Sequence, residues 1–232
     1  MSKCLKCQAE IEQQVTWSTF LLPPEPANLC DDCESQLSVI QAPICRRCGK
    51  PHTEGELCGD CKGWKDDDIH CEVLACNRSL FTYSAFIQAI IAQWKYRGDY
   101  QLKEIFFPFI KSSLQSFYPL KELTIVPIPL SEERLYERGF NQALAIAEIV
   151  AENYHIPIEQ VLSRKENHGE KQSKKSRNQR LAAKNPFFLS KTLETNVLIV
   201  DDIYTTGMTI HHAARLLKEA GCPSVYSFTL VR

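Results

Sequence analysis

The sharpest change of pattern in this chain lies at Val197–Ile210, VLIVDDIYTTGMTI. Four apolar residues, Val197, Leu198, Ile199 and Val200, precede two carboxylates, Asp201 and Asp202, and then the run Thr205, Thr206, Gly207, Met208 and Thr209. A continuous apolar run rich in β-branched residues suits a parallel strand buried on both faces. Beyond it the apolar period becomes helical. Ala213, Ala214, Leu216, Leu217 and Ala220 share one face, and Gly221 stops the helix. The pattern predicts strand, acidic pair, tight loop, helix.

Similar reading elsewhere predicts strands over 77–83, Leu123–Pro129, Ile158–Leu162 and Val225–Val231. Ser84–Tyr96 is an amphipathic helix with Phe86, Ile87, Ile90, Ile91 and Trp94 on its apolar face. Leu102–Phe117 is a helix broken near Pro108, and Asn141–Val150 is a helix with Leu144, Ala147 and Val150 inward. Val15–Leu22 reads as a strand or a packing face.

A loop that leaves the C-terminal end of a strand and enters a helix is an anion site, because free N–H groups and the helix dipole face the ligand. Carboxylates repel a phosphate, so Asp201 and Asp202 suit sugar hydroxyls or a metal-bound diol beside it. Phosphate plus diol implies a phosphorylated ribose. The plain alternative is an ordinary strand-to-helix turn with two solvated aspartates. The order of apolar strand, acidic pair and TTGxT loop resembles the phosphoribosyl-pyrophosphate (PRPP) signature of type I phosphoribosyltransferases.

Cysteine changes the picture of the first quarter of the chain. Of eleven cysteines, eight form four CxxC pairs: Cys4/Cys7, Cys30/Cys33, Cys45/Cys48 and Cys58/Cys61. Each CxxC turn puts two thiolates on one side of a tetrahedral zinc, and two turns close a structural site. In-order pairing gives one zinc on Cys4, Cys7, Cys30 and Cys33 and a second on Cys45, Cys48, Cys58 and Cys61. Interleaved ligation is the alternative, and a redox CxxC would need one pair beside a βαβ unit. His52 is read as a surface residue, and Cys71, Cys76 and Cys222 as idle or buried thiols. The chain divides into a double zinc ribbon over 1–63, a linker over 64–76 and a second domain over 77–232.

Charge separates the two parts. Residues 1–76 carry 7 Lys/Arg against 13 Asp/Glu, whereas 77–232 carry 20 against 15. An acidic ribbon is a poor grip on a phosphate backbone, with Arg46, Arg47 and Lys50 its one basic patch. Neither a signal peptide nor an apolar run near the roughly 18 residues of a membrane span is visible, so a cytoplasmic protein without membrane insertion is expected.

Three further basic stretches stand out. Lys95, Arg97 and Gly98 follow a helix and read on chemistry alone as its C-cap. Arg134 and Arg138 precede Gly139, Asn141 and Gln142 at a helix start, where they could face phosphate oxygens. Arg164–Lys184 carries eight Lys/Arg against Glu166 and Glu170. It reads equally as a solvated loop, a lid over an anionic substrate, or a patch for single-stranded nucleic acid. Aromatic interleaving is absent there until Phe187 and Phe188.

Taken together, the four CxxC pairs, KYRGD, VPIPLSEERLYERGFNQA, the loop with Gln172, Arg180 and Asn185, and VLIVDDIYTTGMT resemble the ComF family of competence-associated proteins over nearly the whole chain. The resemblance implies an α/β fold: a type I phosphoribosyltransferase-like parallel sheet flanked by helices, behind a small double zinc ribbon. It implies that Asp201 and Asp202 hold the ribose hydroxyls and that Thr205, Thr206, Gly207, Met208 and Thr209 hold the 5′-phosphate. Lys95, Arg97 and Gly98 become the pyrophosphate loop, and Arg134 and Arg138 a further phosphate contact. Lys165–Arg180 takes the place of the lid, with Lys174, Lys175, Arg177 and Arg180 available to the lid or to DNA. The lid carries Gly169, Glu170 and Lys171 where the family pattern has a Thr before Gln172. The implied cofactors are two structural zinc ions and magnesium with PRPP. The implied partners are PRPP, single-stranded DNA, and a competence helicase or other DNA-uptake proteins. The expected role is PRPP binding in support of DNA uptake and natural transformation. The alternatives are an active phosphoribosyltransferase with an unidentified acceptor and a regulator of nucleotide synthesis.

Overall fold

A computed structural model describes residues 2–11, 27–52, 56–65, 72–119, 122–164 and 185–232. Two short strands come first, β1 (Ser2–Lys3) and β2 (Glu10–Ile11), paired antiparallel. Helices α1 (Asp31–Glu34) and α2 (Gly59–Lys65) belong to the same N-terminal region. The apolar runs then deliver a parallel sheet of β3 (Cys76–Phe81), β4 (Leu123–Pro127), β7 (Asn196–Ile203) and β8 (Val225–Val231), in the order β3-β8-β7-β4. A separate antiparallel pair, β5 (Leu162–Arg164) and β6 (Phe187–Leu189), lies between β4 and β7 in sequence.

Period-two alternation sorts the strand side chains onto two cores. Leu198, Val200, Ile125, Phe228 and Leu230 face one side. Against them pack α3 (Ala85–Tyr96), α4 (Phe107–Ser113) and α6 (Gln142–Tyr154). Val197, Ile199, Val126 and Val225 face the other side, against α7 (Met208–Glu219), which buries Ile210, Ala213, Ala214 and Leu217. Burial on both faces is why the predicted strand is apolar at four consecutive positions.

Local signals set the helix ends. Ser84 caps α3 through Ile87 N–H at 3.3 Å. Asn141 caps α6 through Ala143 N–H at 3.0 Å and donates to the Ile128 carbonyl at 2.9 Å, tying that helix to the end of β4. Between them α5 (Glu132–Arg138) is capped by Ser131, buries none of its residues, and ends on Gly139 at φ +78°.

Three expected elements shift. The predicted helix over Leu102–Phe117 is a 3-10 turn over Tyr100–Ile105, then α4, then a 3-10 turn over Leu114–Ser116. Pro108 sits in the first turn of α4, where its missing N–H costs nothing. The strand expected over Ile158–Leu162 is a single parallel bridge from Ile158 to Ile125, and the strand proper starts at Leu162. In α6 Leu144 is only partly covered, while Ile146 and Ile149 join Ala147 and Val150 inside.

The ribbon wraps the edge strand β3. Ile40 N–H donates to Leu80 O at 2.7 Å and Thr82 N–H to Ser38 O at 2.9 Å, so the segment between the two cysteine sets extends the sheet. This covers an edge that would otherwise present unpaired backbone. Cys4 and Cys33 join the core on the α3 and α6 side, whereas Cys45, Cys48, Cys58 and Cys61 join the core on the α7 side. One cysteine set therefore lies on each face of the sheet edge. Gly49 permits the second approach: at φ +71°, an added Cβ would lie 2.9 Å from Asn77 O. Buried Asn77 receives the knuckle, donating from N–H to Arg47 O at 2.6 Å and from Nδ2 to Cys48 O at 3.1 Å.

Candidate functional site

The eight cysteines of the CxxC pairs come together in sequence order, as Cys4, Cys7, Cys30 and Cys33 and as Cys45, Cys48, Cys58 and Cys61. Within each set all four sulfurs lie within 4.8 Å of one another. Cys7 and Cys30 are 3.6 Å apart, as are Cys48 and Cys58. That is far beyond an S–S bond of about 2.05 Å, and close to the edge of about 3.8 Å of a tetrahedron with zinc–sulfur bonds near 2.3 Å. The sulfurs fit zinc, and the interleaved pairing is excluded.

Thiol electrostatics point the same way. Burial opposes ionisation of Cys4, but N–H groups of Cys7, Cys30 and Lys6 outweigh it and bring the thiol down to about 6. In the second set the hydrogen bond with Cys61 outweighs burial, and with the Arg232 guanidinium brings Cys48 down to about 5. Cys61 is pushed far up by its hydrogen bond with Cys48, then by burial and the neighbouring thiolates. One thiolate per set is favourable and four need a cation. His52 lies outside both sets.

The second site forms at the C-terminal end of β7. Asp201 and Asp202 end the apolar run, and Asp202 N–H donates to Asp201 Oδ1 at 2.9 Å. Lys95, at the end of α3, pairs with Asp202, and both side chains are largely covered. Burial, and then the charge of Asp202, push the Asp201 carboxyl up to about 8, against the pull of the Asp202 N–H and Lys95. Thr205–Gly207 then leads into α7. Among the described residues, the N–H groups of Thr205, Thr206 and Gly207 have no protein acceptor. Gly207 stands at φ +83°, directly over the ring of Tyr204.

The other basic residues expected at the site arrive from two neighbouring segments. Gln93 Nε2 donates to Asp99 Oδ2 at 3.3 Å across the Lys95–Gly98 turn, with Gly98 at φ +67°. Arg97 is exposed at this turn. The Phe140 ring stands edge-on to Tyr100 at 5.0 Å and 5.9 Å from Trp94, which seats the end of α5 beside α3. Arg138 consequently lies 5.7 Å over the Tyr96 ring while donating to Gln142 Oε1 at 2.9 Å. Arg134 is exposed on the same short helix. Lys174, Lys175, Arg177 and Arg180 lie outside the described residues, as do the whole of Lys165–Arg180 and Val15–Leu22.

Three residues near the site were not singled out by sequence. Arg164, the last residue of β5, is held below the usual arginine range by burial and by Arg134, while Asp201 acts in the opposite sense. Arg134 and Asp201 thus both lie within electrostatic reach of Arg164, whose position at the border of the basic stretch was its only signal. Tyr204 is buried beneath Gly207, with the Arg232 guanidinium 4.4 Å over its ring. Trp64, in α2, donates its indole N–H to Thr206 O at 3.2 Å. Asn185, which the resemblance did mark, ties the β5/β6 pair to α7 by donating to His212 O at 2.8 Å. No helix among the described residues is long and apolar enough to cross a membrane.

Comparison with known proteins agrees with this layout. The double zinc ribbon domain model matches residues 2–62, and the phosphoribosyl transferase domain model matches residues 137–232. The chain is 39% identical over 233 residues to competence protein ComFC of Bacillus subtilis (strain 168), covering 99% of this chain and 94% of that protein. It is 34% identical over 233 residues to competence protein ComFC of Streptococcus pneumoniae, covering 99% and 100%. Competence protein F of Haemophilus influenzae is 23% identical over 210 residues, 88% of this chain and 90% of that protein. With two four-cysteine clusters set against a parallel phosphoribosyltransferase sheet, and with these relatives spanning its length, the chain belongs to the ComF family, on its ComFC branch.

Proposed function

We propose that this protein binds PRPP with magnesium, in the cytoplasm, and serves DNA uptake by handling incoming single-stranded DNA. The observation that carries the ligand is the Lys95–Asp202 ion pair at the end of β7, set beside a loop whose N–H groups lack protein acceptors. In this reading the N–H groups of Thr205–Thr209 and the start of α7 hold the 5′-phosphate. Asp201 and Asp202 accept from the ribose hydroxyls, and Lys95 keeps Asp202 aligned. Lys95, Arg97, Gly98, Arg134, Arg138 and Arg164 receive the pyrophosphate. Magnesium would suit the same place, because a cation beside the pair favours the ionised form of Asp201, which burial first and the charge of Asp202 second oppose. When bound, it would supply positive charge that offsets the pyrophosphate.

The names of the competence relatives supply the process. Support for single-stranded DNA comes from the rim of the site. Tyr96 is 73% exposed and Tyr136, on α5, is 92% exposed, with the Arg138 guanidinium 5.7 Å over the Tyr96 ring. Exposed aromatic faces among arginines suit base stacking and backbone tracking. Sequence spacing hid this platform, because Tyr96 and Arg138 are brought together by the packing of α5 on α3. A competence helicase or another DNA-uptake protein would act beside it.

A second reading, an active phosphoribosyltransferase, is favoured by the basic residues brought to the acidic pair, Lys95 paired with Asp202 and Arg164 within electrostatic reach of Asp201. Cations placed there stabilise a departing pyrophosphate. The decisive experiment incubates pure protein with magnesium and labelled PRPP, with and without nucleobases or oligonucleotides. Binding without turnover is the expected result. Acceptor-dependent pyrophosphate release would move the conclusion to the transferase, and absence of PRPP binding would refute both readings. If Asp201→Ala and Asp202→Ala together leave PRPP affinity unchanged, the ribose assignment is wrong.

A further inference from the structure

The helix that carries a ligand of the second zinc set also reaches the loop described above. Cys61 lies in α2, and Trp64 follows three residues later on the same side of the helix. Trp64 is 4% exposed. Its ring stacks on His211 with centroids 4.0 Å apart and planes 4° from parallel. Its indole N–H donates to Thr206 O at 3.2 Å, across 142 residues of sequence. Thr206 and His211 stand on either side of Gly207, so the ribbon touches both the loop and the first turn of α7.

In a trans peptide the C=O and the following N–H point in opposite directions. With the Thr206 carbonyl turned to Trp64, the Gly207 N–H is turned to the opposite side of the loop. Glycine tolerates both orientations of that peptide, so the loop alone does not choose between them. Turned over, the same peptide would aim a carbonyl oxygen where an anion needs a donor. Tyr204 packs against Gly207 and is itself covered by Arg232.

We propose that Trp64 is a positioning residue that locks the Thr206–Gly207 peptide, so that folding of the second zinc knuckle is a condition of 5′-phosphate binding. The ligand in this inference rests on the PRPP reading, and the coupling of knuckle to loop does not. The test uses the full-length, zinc-loaded chain with Trp64→Phe, which keeps an aromatic ring but removes the donor, and Trp64→Ala, which removes both. Two readouts are taken. One is titration with ribose 5-phosphate and separately with pyrophosphate; the other is amide hydrogen exchange of the peptide covering 204–210. Trp64→Phe is expected to keep two zinc ions and to weaken ribose 5-phosphate by roughly fivefold, the worth of one hydrogen bond, with pyrophosphate unaffected. Loop exchange should quicken in both variants, and Cys61→Ser, which opens the second zinc set, should quicken it further. Wild-type binding with no change in affinity or loop exchange in Trp64→Phe would overturn the inference. Faster loop exchange in a protein whose wild type ignores ribose 5-phosphate would uphold the coupling and refute the ligand.

Discussion

Replacing Gly207 by alanine tests the loop at its tightest point. The residue sits at φ +83°, where a Cβ collides with the backbone and costs about 1–2 kcal/mol. The new methyl would also fall inside contact distance of Tyr204 Oη and Cζ, and 2.8 Å from its Cε1. Tyr204 cannot swing aside freely, because it is 3% exposed and Arg232 lies 4.4 Å over its ring. Overpacking of this kind costs about 1–3 kcal/mol. The two contributions give about 2–5 kcal/mol, and at about 2–4 °C per kcal/mol for a chain of this length Tm should fall by about 4–20 °C. Relief of the clash by moving the loop displaces the N–H groups offered to the ligand. Ribose 5-phosphate affinity should therefore drop by roughly tenfold or more, one charge-assisted hydrogen bond or its equivalent. Thermal unfolding and titration on the same preparation, with zinc content checked, read both effects. A Gly207→Ala protein that keeps Tm within about 2 °C and full affinity would show that Tyr204 does not fill the space under Gly207.

The raised Asp201 carboxyl makes binding pH-dependent. Held up to about 8, it keeps its proton through neutrality in the free protein, and its contribution to stability falls as pH climbs from the ordinary carboxylate range toward 8. Ribose hydroxyls favour the ionised form, so PRPP binding should release a proton below pH 8 and tighten with rising pH. Calorimetry in two buffers, with Asp201→Asn as the control for the ligand's own titration, checks this; an equal slope in both proteins rejects it. Elemental analysis should find two zinc ions per chain, and chelation should lower Tm steeply because the second set lies inside a core; a stoichiometry near one overturns the two-site assignment. Single-strand affinity should fall with salt. Neutralising Lys174, Lys175, Arg177 and Arg180 should reduce the log–log slope by about 0.7 for each DNA phosphate that these side chains otherwise neutralise. An unchanged slope would move the DNA path to Tyr96, Tyr136 and Arg138, or to Arg46 and Arg47.

What the sequence reveals here is what one short stretch encodes. Strand, acidic pair, loop and α7 are contiguous, so periodicity and residue type sufficed for them. The zinc sets were legible because CxxC is itself a geometric unit, and in-order pairing follows from the compact second set. The Lys95–Asp202 pair was not legible from spacing, since its partners lie on different strand–helix units and only the parallel order β3-β8-β7-β4 brings them together. Arg164 looked like the start of a solvated basic run, yet antiparallel pairing with Phe187 turns it inward, where its guanidinium lies 5.7 Å over the Phe187 ring. Periodicity also misassigned detail. Leu144 and Ile146 both suit an inward helical face, and which one is covered depends on the angle at which α6 lies on the sheet. Trp64 carried one weak signal: a large aromatic three residues after a zinc ligand has to bury its ring against something.

The charge contrast between the two parts gains a meaning from the way they meet. An acidic ribbon, made more negative by zinc tetrathiolates, would be a weak independent grip on DNA. The structure uses it differently. Its middle segment completes the edge of the sheet at Leu80 and Thr82. Its two cysteine sets lie on opposite faces of that edge, the first joining one core through Cys4 and Cys33 and the second lying wholly inside the other. The second set then places Trp64 against the loop that follows the acidic pair. Arg232, just after β8, covers Tyr204 and, after the hydrogen bond with Cys61, helps to draw the Cys48 thiol down, so its charge serves both the second cysteine set and the residue under the loop. A ribbon attached this way packs as a buttress against the loop after the acidic pair more than it stands as a separate nucleic-acid module. On the proposed reading, DNA would then pass on the other side of the acidic pair, at the basic and aromatic surface of Tyr96, Arg138 and Tyr136.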